Sequence, residues 1–357
     1  MFNLGRLELA RKRRRYTAKS LAERAQVAPV TLSRIVNGKQ EPDEQTIEKL
    51  IEALCFPKEF FFQDDVDPID ASAASFRSLK SMTARERDAA VSAGSLAYEL
   101  SDWVKARFNL PHTDLLDLSH EPNPSGAARM LRQYWSIGER PIGNMVKLLE
   151  TKGVRVFSLS ENTLSVDAFS CWRNDEPYIF LNTFKTAERS RFDAAHELGH
   201  LVLHKHGGLN HGRGAEAEAN AFASSFLMPR ADVEAVLPYV TSLKDIIKAK
   251  ARWRVSAIAL TYRLHKLGAI TDWQYRSFCI QLNRQYGRQE PEALPPERSA
   301  VWQMVLSELW KDGISKNKIA SELHMPHDEM ENLLFGLTAE VEPPPRSQGK
   351  PGLKAVK

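Results

Sequence analysis

The stretch "DAAHELGHLVLH", from Asp193 to His204, constrains the fold of this chain more than any other. It carries two histidines four residues apart, His196 and His200, and Glu197 directly follows the first. Residues four apart are neighbours on one face of an α-helix, so the helix predicted here brings both imidazoles together. The rest of the stretch is largely apolar, so we expect the helix to be buried. Two buried histidines without partners would be costly, and the fold must supply a partner for them.

A metal ion is one such partner. Two neutral imidazole nitrogens suit zinc, and a glutamate beside the first histidine can reach a water molecule on that ion. A third ligand is then needed. Two carboxylates follow at a suitable distance, Glu216 and Glu218, within "EAEANAFA" on a predicted helix whose other faces are apolar. At this point the residues leave both carboxylates open.

Composition narrows the class of protein. The 357 residues are 43% hydrophobic and 26% charged, which is typical of globular domains with two or three cores. We find no secretory signal and no apolar run long enough to cross a membrane, so we expect no membrane partner. The three cysteines are far apart in the sequence, which favours a reducing compartment over a disulfide framework. The expected location is the cytoplasm.

The charge is unevenly distributed along the chain. Residues 1 to 39 carry ten lysines or arginines and two acids, while the net charge of the whole chain is only +4. A basic N-terminal unit on a mildly acidic body suggests that this end meets nucleic acid. A solvated basic helix is the alternative reading.

The N-terminal segment predicts a small helical bundle. Its second and third helices are short and are separated by the tight turn "QVA", as in a helix-turn-helix. The second begins after the N-cap Thr17, and the third begins at Pro29 and ends at Asn37-Gly38. The first and fourth helices are predicted over 3–15 and about 43–54.

The stretch "LAERAQVAPVTLSRIVNGKQEP" resembles the Cro/C1-type (XRE) helix-turn-helix domains, over about residues 4 to 60. The resemblance implies that the third helix enters the major groove of a double-stranded operator and that such domains bind as homodimers. Lys39 is then placed to reach a phosphate. The residues expected to face DNA are Pro29, Val30, Thr31, Ser33 and Arg34. A bundle used only for protein contacts is the alternative.

The rest of the chain predicts helices interrupted by a few strands. "VRVFSL", "SVDAFSCW" and "PYIFLN" are rich in branched and aromatic residues and predict a small sheet. The expected fold class is therefore mainly α with a small β-sheet (α+β): an N-terminal helix-turn-helix bundle, a domain that carries the two histidines and a helical C-terminal part. The predicted division is as follows: a DNA-binding domain (1–62), a linker and helical connector (63–139), the domain of the two histidines (140–286), a helical appendage (287–339) and a disordered tail (340–357).

"RSRFDAAHELGHLVLH" followed by "EAEANAFASSFLMP" resembles the ImmA/IrrE metallopeptidases, over about residues 140 to 285. That resemblance implies that residues 140–286 form a zincin-like metallopeptidase domain with zinc as the cofactor. It also implies Glu216 as the third ligand with His196 and His200, and Glu197 as the catalytic base. Glu218 is then out of register, some 200° around the helix. Asn220 lies one turn after Glu216 and is expected to hydrogen-bond a ligand.

Three further histidines follow the motif, His204, His206 and His211. A site with two histidines, one glutamate and an open position is a better catalytic design than a four-histidine site. We expect His204, one turn beyond His200, to lie at the surface or behind the ligands.

Together the two resemblances imply a DNA-binding transcriptional regulator that carries a zinc-dependent endopeptidase. The expected substrates are repressor-type proteins in stress or mobile-element control. The alternative is a transcription factor whose zincin-like domain senses a metal or metabolite without catalysis. An antitoxin-like interaction protein is a third reading, which the large C-terminal body does not require.

Overall fold

The computed structural model of the chain describes residues 1–69, 83–159, 168–205, 213–287 and 289–338. These residues are mainly helical and contain one three-stranded sheet, which confirms the predicted fold class. The predicted disordered tail, 340–357, lies outside the described residues. Among the described helices, none is long and apolar enough to cross a membrane.

The N-terminal bundle has the four helices expected from the sequence, followed by a short 3₁₀-helix. Thr17 caps the second helix by accepting a hydrogen bond from the backbone N–H of Ser20, and Asp43 caps the fourth in the same way. Gly38, at a φ of 66°, follows the end of the third helix. The bounds are α1 (Leu4–Arg13), α2 (Ala18–Arg24), α3 (Pro29–Val36), α4 (Glu44–Leu54) and the 3₁₀-helix (Lys58–Phe62).

The middle of the chain contributes three helices and the sheet. The longest of these helices starts at a capping box formed by Thr83 and Glu86. The helices are α5 (Ala84–Lys105), α6 (Pro124–Tyr134) and α7 (Met145–Thr151), and the strands are β1 (Arg155–Ser158), β2 (Phe169–Arg173) and β3 (Glu176–Leu181).

The sheet has the strand order β1-β3-β2, with β1 parallel and β2 antiparallel to β3. Asn174 and Asp175, both at positive φ, form the two-residue turn between β2 and β3. Both faces of the sheet are covered, which explains why its strands are almost continuously apolar. Alternate side chains enter two different cores. Those on one face are Phe157, Phe169, Cys171, Tyr178 and Phe180; those on the other are Val156, Ile179 and Leu181.

The second core is enclosed by the helices that follow the sheet. They are α8 (Ala187–Leu203), α9 (Arg213–Leu227), α10 (Arg230–Val236), α11 (Leu243–Trp253), α12 (Ala257–Lys266) and α13 (Asp272–Tyr286). The helix α8, which carries the two histidines, contacts both β2 and β3 and packs most extensively against α9. The sheet and α9 therefore position the candidate site from two sides.

The C-terminal helices pack back on the N-terminal bundle. They are α14 (Ala300–Lys311), α15 (Lys316–Glu322) and α16 (His327–Leu334), and their apolar residues share one core with α1 to α5. Ion pairs reinforce this contact: Arg13 Nε donates to Glu329 Oε2 at 2.6 Å, and Arg14 Nη1 donates to Asp328 Oδ2 at 2.7 Å. Both ends of the chain therefore share one core. The domain boundaries predicted from the sequence stay predictions.

Candidate functional site

The candidate site lies where α8 and α9 cross closely, and Gly199 permits the close approach. A Cβ at this position would lie 3.1 Å from Cδ1 of Phe222 and 3.3 Å from Cα of Ala219, both on α9. Contacts this short leave almost no room for a side chain between the two backbones. The glycine of the HExxH stretch therefore allows a carboxylate on α9 to reach the imidazoles on α8.

The side chains of His196, His200 and Glu216 converge at this crossing. The two Nε2 atoms are 3.1 Å apart. Glu216 places Oε2 3.4 Å from His196 Nε2 and Oε1 3.6 Å from His200 Nε2. Each residue thus offers one ligand atom to a common point, and these atoms lie within 4.8 Å of one another.

The separations fit a zinc ion. Zinc binds imidazole nitrogens at about 2.0–2.1 Å with tetrahedral geometry, which corresponds to ligand atoms about 3.3 Å apart. The shortest distances between the three residues, 3.1 Å for the two Nε2 atoms and 3.4 and 3.6 Å from each Nε2 to its nearer Glu216 oxygen, lie close to that value. A set of two nitrogens and one oxygen leaves a fourth tetrahedral position for water or substrate. That these residues hold a metal stays a prediction.

Asn220, which was predicted to hydrogen-bond a ligand, lies behind the first histidine. Its Oδ1 is 3.1 Å from Nδ1 of His196. A hydrogen bond donated by Nδ1–H to this oxygen fixes the tautomer in which Nε2 carries a lone pair. Asn220 thus orients His196 for a ligand on its other nitrogen.

A second chain of hydrogen bonds supports His200. His204 Nε2 is 2.9 Å from Glu218 Oε2, and His204 Nδ1 is 3.1 Å from Nδ1 of His200. An ionised carboxylate only accepts hydrogen bonds, so Nε2 of His204 donates and its Nδ1 accepts. Nδ1 of His200 then donates, which leaves the lone pair of His200 on Nε2, the nitrogen that faces Glu216.

The environment tunes the two imidazoles differently. Burial lowers the pKa of His200 well below its usual range, and the neighbouring His196 and His204 lower it further. Burial alone would also lower the pKa of His196, but the hydrogen bond to Glu216 and the charge of Glu197 raise it overall. His200 is therefore held in the neutral form that ligates metals.

Glu197 is buried between α8 and the sheet. It is 3% exposed, and its Oε2 accepts a hydrogen bond of 2.7 Å from Oγ of Ser170 on β2. Its charge acts on the adjacent His196, so the carboxylate lies near the candidate ligands. Ser170 thus holds the orientation of the predicted base.

The predicted DNA-contacting residues lie on the outer face of α3 and just after it. Pro29, Val30, Ser33, Arg34 and Lys39 are exposed, and Val30 is 63% exposed despite being apolar. Thr31 is half-buried. Beneath them, Leu32 and Ile35 enter the core. These side chains therefore share a solvent-facing surface, as docking into a groove of DNA requires.

Three arginines at the end of α1 and just after it form ion pairs within the molecule. Arg13 and Arg14 pair with Asp328 and Glu329, and Arg11 pairs with Glu8. Their charge is thereby neutralised within the molecule. Lys19, Arg34 and Lys39 are exposed and lie on or beside α2 and α3.

The sequence analysis assigned no role to Ser170 or Glu218, and it expected His204 either at the surface or behind the ligands. A serine in the middle of a buried apolar strand was a signal for Ser170, since its neighbours in the strand point to the opposite face. His204 and Glu218 were noted, but the contact between them depends on how α8 and α9 cross. His206 and His211 lie outside the described residues.

The comparisons with known families match both halves of the chain. Residues 149–265 match the model of the IrrE N-terminal-like domain, a peptidase family, and residues 7–54 match a helix-turn-helix family. A search of the curated proteins finds no match. The two matches support a DNA-binding regulator with a metallopeptidase-type domain. The chain combines an XRE-type helix-turn-helix domain with an ImmA/IrrE-like peptidase domain, which confirms the predicted fusion.

Proposed function

We propose that this protein is a DNA-binding transcriptional regulator whose second domain is a zinc-dependent endopeptidase. The observation that carries the peptidase half is the convergence of His196, His200 and Glu216, each of which offers one ligand atom within 4.8 Å of the others. Two histidines and a glutamate with one position left open form a donor set typical of catalytic zinc sites. His196, His200 and Glu216 would hold the ion.

When bound, zinc would polarise the scissile carbonyl and lower the pKa of the attacking water, so that this water loses a proton readily at neutral pH. Glu197 accepts the proton of the attacking water on its carboxylate and delivers it to the nitrogen of the leaving amine. Ser170, which donates to Oε2 of Glu197, keeps that carboxylate oriented during the transfer. Asn220 and His204 hold the two imidazoles with their Nε2 atoms facing the reaction centre.

The sheet offers a way to bind a protein substrate. β2 lies at one end of the strand order and packs against α8, and no described strand pairs with its outer edge. An extended peptide can add to such an edge through backbone hydrogen bonds. Ser170, on this strand, contacts Glu197, so a peptide paired with β2 would pass close to the proposed base.

The regulator half rests on α3. Its exposed residues would read the operator, with Arg34 and Ser33 as polar contacts to bases and Lys39 as a contact to phosphate. A dimer of the chain on a two-fold operator is part of this proposal, as is a cytoplasmic location, where the operator and repressor-type substrates are found.

Incubation of the full-length protein with candidate repressor proteins, and with itself, tests the peptidase. We expect fragments to appear with zinc and to be absent with a chelator. Glu197→Gln should keep zinc and operator affinity but lose cleavage, by about 100-fold or more. Cleavage by Glu197→Gln at the rate of the parent protein would show that the base is wrongly assigned.

A second candidate function, the sensing of a metal or metabolite without catalysis, is favoured by one observation. The N-terminal bundle shares its core with one face of the sheet, whose other face packs against the candidate site. A ligand in the second domain could thus bias the helix-turn-helix. Operator affinity that changes with a ligand, with no peptide bond cut in any protein tested, would select this function.

A further inference from the structure

A cavity of about 600 Å³ lies between α6, α9, α10 and α12, on a different face of α9 from the candidate ligands. Ala217, Ala221, Ser224 and Ser225 line it, whereas Glu216 lies on the face that meets α8. Its volume falls within the range of small-molecule sites, about 300–1,000 Å³.

The wall of this cavity contains a buried guanidinium group that has no carboxylate partner among the described residues. Arg263, on α12, is 7% exposed; its Nε donates to the carbonyl of Met228 and its Nη1 donates to Oγ of Ser225, each at 3.0 Å. Its Nη2 makes no hydrogen bond to any residue that the structure describes. A buried cation is costly unless it is paired, because few dipoles replace its water.

A second buried arginine adds to the positive charge. Arg132, on α6, is 2% exposed and donates only to backbone carbonyls, among them that of Phe226. Burial lowers the pKa of Arg132 and of Arg263 to about 10, so both stay protonated at neutral pH. The inner wall of the cavity is therefore positively charged at neutral pH.

The mouth of the cavity is also mostly basic. Arg129, Arg230 and Lys266 line it and are exposed. Two acids face them: Glu234, which is already paired with Arg230 at 2.7 Å, and Glu139. Within the described part of the chain, neither Arg129 nor Lys266 forms an ion pair. Five basic side chains thus line the cavity against two acidic ones.

We propose that this cavity binds a small organic anion, a phosphate or carboxylate compound of metabolite size. Arg263, whose Nη2 has donors to spare, and Ser224, which carries a hydroxyl, both line the cavity. Arg129 and Lys266 attract the anion at the mouth, while the alanines of α9 contact its carbon skeleton. A guanidinium group binds both phosphate and carboxylate oxygens. The site therefore selects for negative charge and does not distinguish these two groups.

Isothermal titration of the full-length protein tests the site with three probes: inorganic phosphate, glucose 6-phosphate and citrate, with potassium chloride at matched ionic strength as reference. We expect saturable binding of at least one probe. In a thermal unfolding measurement, the same probe should raise the melting temperature more than chloride does. Binding of the phosphates alone or of citrate alone would assign the ligand to one chemistry. If none of the three binds beyond the chloride reference, the proposal is wrong.

Variants locate the binding. Arg263→Gln should weaken binding at least tenfold, and Arg129→Ala and Lys266→Ala, which change exposed residues and should not affect folding, should each weaken it several-fold. Arg284→Ala, an exposed arginine on α13 outside the cavity, is the matched control and should bind as the parent protein does. Unchanged affinity in Arg129→Ala and Lys266→Ala would overturn the assignment. Binding that persists in Glu216→Ala would separate this site from the candidate metal centre.

Discussion

At the scale of single residues, the side chains behind the candidate ligands determine which nitrogen can bind a metal. His204 and Glu218 form a chain in which every proton position follows from the carboxylate at its end. Asn220 does the same for His196 with a single hydrogen bond. Both imidazoles therefore present Nε2 without any contribution from the metal itself.

Removal of this support should weaken zinc binding without removing a ligand. We expect His204→Ala and Glu218→Gln each to lower zinc affinity by about 10–100-fold, because His200 would no longer be held in one tautomer and orientation. Competition with a chromogenic chelator measures the affinity on the folded protein. His327→Ala, which changes an exposed histidine on α16, is the control. If His204→Ala binds zinc as tightly as the parent protein, the hydrogen bonds of His204 and Glu218 have no positioning role.

The sequence allowed part of this site to be predicted. The spacing of His196 and His200 places both on one helical face, and the resemblance to a family selected Glu216. Glu218 was set aside because it lies some 200° around its helix from Glu216. That reasoning treats a helix as isolated, whereas the contact of Glu218 with His204 depends on the reach of two side chains across a crossing between helices.

At the scale of elements, the site depends on the packing of α8 against α9. Gly199 lies at a close approach of the two helices, with backbone and side-chain atoms of α9 within 3.4 Å of where its Cβ would lie. Interiors are packed too densely to absorb a larger side chain there without movement of a helix. Gly199, which has no side chain to bind a ligand, therefore helps to determine the distance between Glu216 and the imidazoles.

Gly199→Val should push the two helices apart. We expect a loss of stability of about 1–3 kcal/mol from overpacking and a lower zinc affinity, because Glu216 would move away from His196 and His200. Urea unfolding and chelator competition measure the two effects. Gly214→Ala is the control, since a Cβ at Gly214 meets nothing within 4 Å. Equal zinc affinity in Gly199→Val and the parent would contradict this account.

At the scale of the whole molecule, the two ends of the chain are joined by charge as well as by apolar contact. Glu329 is 1% exposed and contacts both Arg13 and Arg14. The sequence predicted helices at both ends but not this contact, because the partners are more than 300 positions apart. For the same reason the sequence did not predict that Arg13 and Arg14, which contribute to the positive charge of the N-terminal segment, form ion pairs with Asp328 and Glu329.

Glu329→Ala should destabilise this contact. Removal of the carboxylate takes one ion-pair partner from each of Arg13 and Arg14, and the loss of one partner of a buried pair costs about 3–5 kcal/mol. Urea unfolding at pH 7 measures the loss. Glu331→Ala, whose partner Lys316 lies on the neighbouring helix, is the control and should change stability by less than about 1 kcal/mol. Equal losses in the two variants would show that the buried pair has no special weight.

The neighbouring Asp328 gives this contact a defined pH dependence. Burial alone would raise the pKa of Asp328, but the hydrogen bond from Arg14 outweighs it and the pKa is lowered. Its stabilising contribution is therefore complete above the unfolded pKa and is lost as the pH falls through the lower folded pKa. We expect Asp328→Asn to be less stable than the parent by the same amount from pH 7 to 5, with the difference closing only in stronger acid. A difference that closes between pH 7 and 5 in urea unfolding would contradict the assignment.

The central claim is that His196, His200 and Glu216 together hold one zinc ion. Elemental analysis of the dialysed full-length protein, combined with chelator competition, tests it most directly. We predict one zinc per chain in the parent protein and in Glu308→Ala, an exposed glutamate on α14, and a loss of that zinc in His196→Ala and Glu216→Ala. A parent protein that takes up no zinc, or a Glu216→Ala variant that binds it as tightly as the parent, would contradict the account.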